Sequence, residues 1–115
     1  MEQLLAHLVG DYILQPDWLS KRKLTSWFWA LVHGLFYSLP FLLLRPSWLA
    51  WGIILLSHAL VDRYRLAHYV TRFKNRIWWG DGYPAETPDY LRVWLTIITD
   101  NTVHLLINYL CLRFL

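Results

Sequence analysis

A chain of 115 residues has room for one domain, and as a water-soluble unit it would be only moderately able to bury a core. Hydrophobic residues make up 57% and charged residues 17% of it, against about 25% charged in soluble domains, which argues against a soluble globular protein. The net charge of +3 does not make it a nucleic-acid binder. Its basic residues fall in two stretches between apolar segments, and neither has the form of a binding module. Eight Trp and seven Tyr suit the two membrane–water interfaces better than a small packed core. Cys111 is the only cysteine, so neither an intrachain disulfide nor a thiolate metal site is expected. The first apolar stretch lacks a basic leader and contains Asp11, so insertion through uncleaved spans is expected in place of a cleaved signal.

Four apolar segments follow in order, and together they predict an all-α integral membrane bundle forming one transmembrane domain over 1–115. Segment one, 1–15, stops before Pro16, which disfavours helix at the preceding residue; at about 22 Å it is short for a hydrocarbon core of about 30 Å. A loop with Lys21, Arg22 and Lys23 leads to segment two, 26–44, in which Pro40 predicts a kink. Arg45-Pro46-Ser47 reads as a tight turn with Ser47 as helix N-cap. Segment three, 48–78, is apolar to Val61 and continues as an amphipathic cytoplasmic extension until Gly80-Asp81-Gly82 and Pro84 break it. Thr87-Pro88 reads as N-cap and first residue of segment four, 88–115.

Four crossings put the loop after segment one and the connection after segment three on the same side. These carry Lys21, Arg22, Lys23, Arg63, Arg65, Arg72, Lys74, Arg76 and Arg92, whereas the other side has Arg45 and Arg113. Basic residues collect on the cytoplasmic side, so both termini are expected to face away from it. Arg63 and Arg65 read as topology anchors, with a hold on an anionic lipid head group as the alternative.

An ionisable side chain inside a span costs on the order of 3 kcal/mol, yet seven lie in or beside these segments. Six form pairs spaced i, i+4, which share a helix face: His7 with Asp11, His58 with Asp62, Asp100 with His104. His33 stands alone on segment two. In the expected topology every Asp lies cytoplasmic to its His. An antiparallel bundle would therefore stack a carboxylate layer about 6 Å below an imidazole layer.

Imidazole and carboxylate are ligands for zinc and related divalent ions. The expected ligands are His7, Asp11, His33, His58, Asp62, Asp100 and His104, with zinc the metal expected. A bound ion would offset the buried carboxylates and could activate water for hydrolysis, with Asp11, Asp62 and Asp100 as catalytic carboxylates and one of them left free as general base. Three readings compete: intrahelical Asp–His pairs, polar contacts that hold helices together, and a proton or ion path. His68 reads as an interfacial side chain. Gln15 extends the polar face of segment one or caps its end, and Ser57 points away from the face of His58, which excludes a Ser–His dyad. No phosphate-binding glycine loop or nucleophile elbow is present.

The opening LLAHLVGDYILQPDW is similar to the start of a widespread family of small bacterial and phage membrane proteins of unknown function. The pattern of that family is His-Leu-x-Gly-Asp-x-x-x-Gln, then a His in the second span, His-x-x-x-Asp, and a final Asp-x-x-x-His. Here these are His7, Gly10, Asp11 and Gln15, then His33, then His58 and Asp62, then Asp100 and His104. The match covers nearly the whole chain; TDNTVH in segment four departs from a more usual Asp-Gln. More distantly, the chain resembles membrane-bound metal-dependent hydrolases. The resemblance implies a multi-pass membrane protein without an agreed activity; the aligned pairs themselves suggest a metal site in the bacterial inner membrane, in contact with lipid and hydrolysing a lipid or lipid-linked substrate. A non-enzymatic role, as a proton or metal conduit or as a phage-type factor binding a host membrane protein or a second copy of itself, is the alternative.

Overall fold

The computed structural model describes residues 1–115, and all of its regular structure is helical. Helix α1 (Glu2–Leu8) runs without a break into a π-helical turn, Val9–Ile13, and stops ahead of Pro16. A short helix, α2 (Asp17–Arg22), occupies what reads as loop in the sequence. Helix α3 (Trp27–Ser38) tightens into a 3-10 turn over Leu39–Leu44; Pro40 lacks the N–H that an α-helix needs there. Ser47 caps α4 (Trp48–Tyr64), its hydroxyl accepting from the Ala50 N–H at 3.0 Å.

Segment three does not extend as one helix. Arg65 adopts a left-handed backbone (φ 51°, ψ 53°), which ends α4 and starts a separate amphipathic helix, α5 (Leu66–Asn75). A second left-handed residue, Arg76, ends α5 ahead of the glycine-rich turn. Helix α6 (Asp89–Phe114) begins one residue later than expected, with Pro88 in the capping position, a difference within the usual uncertainty of helix ends.

Two helices are long and apolar enough to cross a membrane, Trp27–Leu44 and Asp89–Phe114. The break at Arg65 leaves α4 with 17 residues, about 26 Å of helix, and the first segment is shorter still. The longest dimension of the molecule is 45 Å, comparable with about 40–45 Å for a bilayer with its head groups.

Helices α3 and α4 form the closest-packed pair, with α6 against α4 and α1 wedged between α6 and the end of α3. Small residues allow this. A Cβ on Gly34 would stand 2.9 Å from the Leu55 carbonyl oxygen, and one on Gly10 would stand 2.5 Å from that of Tyr37. Buried polar residues and exposed large apolar ones are both numerous. Nine of the 24 buried residues are polar or charged, while Leu43, Trp48, Ile13 and Phe114 are each more than two-thirds exposed.

Candidate metal centre

The buried polar residues converge on one place between α3, α4, α6 and the π turn. The π turn spaces its residues wider than an α-helix does, and it delivers Asp11 and His7 to different partners. Both nitrogens of His7 are engaged: Nδ1 lies 2.7 Å from the Tyr37 hydroxyl and Nε2 lies 3.0 Å from Asn101 Oδ1. The carbonyl oxygen of Asn101 can only accept, so Nε2 carries the proton and Nδ1 accepts from Tyr37. That hydroxyl also accepts from Asn108 Nδ2 at 2.6 Å. His7 therefore lies beside the centre as a hydrogen-bonded side chain.

Asp11, His33, His58 and Asp62 each offer a ligand atom, all within 4.8 Å of one another, and all four residues are buried. The individual separations are regular. His33 Nε2 lies 3.3 Å from Asp11 Oδ1, 2.9 Å from His58 Nε2 and 3.5 Å from Asp62 Oδ2. His58 Nε2 lies 3.8 Å from Asp11 Oδ1 and 3.3 Å from Asp62 Oδ2. Four ligands at zinc bond lengths stand about 3.3–3.6 Å apart in a tetrahedron, and these separations scatter about that range. The expected pair of layers is thus a single interleaved cluster.

The surrounding hydrogen bonds fix where protons sit. His104 Nε2 lies 3.1 Å from Asp62 Oδ1 and 3.5 Å from Asp100 Oδ2, so it carries the proton that these oxygens accept. With His104 neutral, its Nδ1 is an acceptor, 3.1 Å from His58 Nδ1, and His58 donates there. The Nε2 lone pair of His58 is left facing the cluster. Tyr37 stacks on His58 with ring centroids 3.5 Å apart and planes 8° from parallel, which holds the imidazole in that orientation. His33 Nδ1 is buried without a partner.

Lone pairs from two carboxylates and His58 converging on one buried point repel each other unless a cation joins them. One is present. Lys23, read from the sequence as a topology signal, reaches in from the end of α2 with its Nζ 2.5 Å from Asp62 Oδ2 and 3.9 Å from Asp11 Oδ1. With the histidines neutral, Asp11, Asp62 and Asp100 against one ammonium leave two negative charges, which a divalent ion would balance. The donor set, the spacing and the charge all fit such an ion.

The i, i+4 geometry holds for His58 with Asp62 and for Asp100 with His104. A second group of possible ligands joins Asp11, Asp100 and His104, and Asp100 is its open edge, with a side chain 31% exposed. Every expected ligand except His7 thus falls in one of the two groups. Lys23, Tyr37, Asn101 and Asn108 complete the site without having been signalled by spacing. Asn101 lies in the TDNTVH stretch of segment four, and it holds both His7 and Tyr12. Gln15 Oε1 is buried with no partner, and the Ser57 hydroxyl turns back to the Ile54 carbonyl.

An all-helical chain with a buried His/Asp cluster able to hold a metal ion is the class that fold and site define. Residues 1–81 match the family model described as Protein of unknown function (DUF3307), and the chain belongs to that family. No curated protein and no solved structure matches it.

Proposed function

We propose that the chain is a multi-pass protein of the bacterial inner membrane that binds one divalent metal ion, zinc foremost, through Asp11, His33, His58 and Asp62. The reading rests on one observation: four buried donor atoms at tetrahedral separations, three of them with lone pairs and too little positive charge nearby. A membrane setting is supported by the buried polar cluster together with the exposed large apolar side chains, by two helices of spanning length and by the basic bias of two loops. Tilt, local thinning of the bilayer and burial against α3 and α6 let the shorter α1 and α4 complete a four-helix bundle.

The activity proposed is metal-dependent hydrolysis of a lipid or lipid-linked substrate. A divalent ion here would supply Lewis acidity and, where its shell expands to admit a water as fifth ligand, would lower the pKa of that water. The chain's own residues divide the remaining work. His104 orients His58, Lys23 compensates the carboxylates, and Asp100, partly exposed at the cluster edge, is placed to accept a proton. A conduit for protons or metal is the second reading, favoured by the continuous run of hydrogen-bonded groups from Tyr12 through Asn101, His7 and Tyr37 to Asn108.

Metal analysis of the detergent-purified protein tests the first reading. About one equivalent of a divalent metal is expected, falling below about 0.2 in His58→Ala. Less than about 0.2 equivalents in the wild type, unchanged by that substitution, would remove its support. Metal or proton flux in liposomes that needs Asp62 and Asp100, without hydrolysis, would favour the conduit.

A further inference from the structure

A cavity of about 260 Å³ opens beside the cluster, between the α4–α5 hinge, α6 and the chain after α2. Asp62 and Asp100 are part of its wall, so it reaches the proposed centre, and Lys23, Arg65, His68 and Tyr12 line the rest of its polar surface. The two arginines of the hinge differ sharply. Arg63 is committed, its Nη1 donating to the Leu24 carbonyl at 2.9 Å. Arg65 is exposed and takes part in none of the molecule's ion pairs. The Arg65 backbone is left-handed (φ 51°), a conformation that costs about 1–2 kcal/mol for a residue with a Cβ. Arg65 nonetheless lines the cavity.

We infer that this cavity receives the phosphate group of a phosphate ester, with Arg65 gripping its oxygens and the carboxylate wall meeting it through the divalent ion; the inference rests on the metal centre proposed above. Carboxylates alone would repel an anion, whereas carboxylates carrying a divalent cation attract one. A site with a guanidinium on one side and such a cation on the other suits a tetrahedral anion that has oxygens to offer in both directions. The planar fork of arginine matches two phosphate oxygens at once. His68 adds a second donor beside it.

The level of the cavity agrees. Trp27, Tyr64 and Trp94 are exposed around the same end of α3, α4 and α6, with Trp27 and Tyr64 in edge contact at 5.6 Å. Such aromatic residues sit at head-group depth, where phospholipid phosphates lie. Leu24 and Ile97 continue the cavity wall as apolar surface, suited to the glycerol and first methylenes of a lipid. A soluble phosphate ester shares the anionic chemistry but lacks that apolar part.

The test is equilibrium binding to the full chain in detergent, with metal content measured in the same samples. The probes are short-chain phosphatidic acid and glycerol phosphate. Wild type, Arg65→Gln and Arg65→Lys are compared with and without added zinc. The metal-loaded wild type is expected to bind at least one probe, and Arg65→Gln to bind it at least about tenfold more weakly, as loss of a charged hydrogen bond implies. Metal content should be unchanged, with Arg65→Lys in between. Preference for the lipid probe identifies a head group as the source, and equal binding identifies the phosphate alone. Arg65-dependent binding that persists without metal overturns the bridging role given to the ion, while the metal content of the same samples tests the centre itself. No binding in either state, or binding indifferent to Arg65→Gln, overturns the inference while leaving the metal centre to its own test.

Discussion

Lys23 is the residue on which the electrostatics of the centre turns. Its side chain is 11% exposed and its ammonium lies against Asp62, so it and a divalent ion share the task of neutralising the same carboxylates. Removing one partner of a buried ion pair costs about 3–5 kcal/mol when the remaining charge is left uncompensated. Lys23→Met should therefore lower the thermal midpoint of chelator-treated protein strongly, by the equivalent of about 3 kcal/mol, and that of metal-loaded protein much less. Equal losses in both states, followed by tryptophan fluorescence, would mean that no ion takes up the compensation. Nothing in the sequence marks this lysine, because it lies in a basic triplet that topology alone explains. Tyr37 and Asn108 escape for a different reason: single uncharged polar residues on helices have no spacing partner to betray them. His7 differs in another way. Its i, i+4 relation to Asp11 presumes α-helical geometry, whereas a π turn runs over Val9–Ile13 and both ring nitrogens of His7 are engaged by Tyr37 and Asn101.

At the scale of the elements, the α3–α4 contact sets how closely His33 and His58 approach. Gly34 permits it, since a Cβ there would meet the Leu55 backbone oxygen at 2.9 Å. Gly34→Ala is expected to push the two helices apart at a cost of about 1–3 kcal/mol and to reduce metal content with it. Gly52, in the same helix as Leu55 but with open space around its missing Cβ, is the matched control. Gly52→Ala should be neutral or stabilising by up to about 1 kcal/mol, through helix propensity. Thermal unfolding of both variants checks this, and a Gly34→Ala protein as stable and as metal-rich as Gly52→Ala would contradict it. The four apolar segments and the Ser47 cap were legible from hydropathy and capping chemistry. The end of α4 was not. It falls at Arg65, where neither glycine nor proline announces a break and local backbone hydrogen bonds, Arg65 N–H to the Asp62 carbonyl and His68 N–H to the Arg65 carbonyl, close a turn around a left-handed arginine. Likewise α2 lies in a polar stretch too short for periodicity to register.

For the whole molecule, the buried polar cluster and the exposed apolar side chains support the proposed membrane setting. Such an arrangement is stable where the surrounding solvent is hydrocarbon, and the orientation proposed for it rests on the basic loops. Cysteine variants Glu2→Cys and Ser20→Cys, probed with a membrane-impermeant thiol reagent on spheroplasts, test the orientation. Position 2 should label in intact spheroplasts and position 20 only after lysis; the opposite pattern would invert the topology. Cys111 is buried and gives little background.

The most direct measurement is X-ray absorption at the zinc edge of the zinc-loaded protein. The account predicts a shell of four protein nitrogen and oxygen donors at about 2.0–2.2 Å, with a fifth oxygen when water binds, and imidazole scattering that diminishes in His33→Ala and in His58→Ala and is unaffected by His7→Ala. A six-coordinate aquo-like shell without imidazole, or a spectrum that none of these substitutions changes, would contradict it.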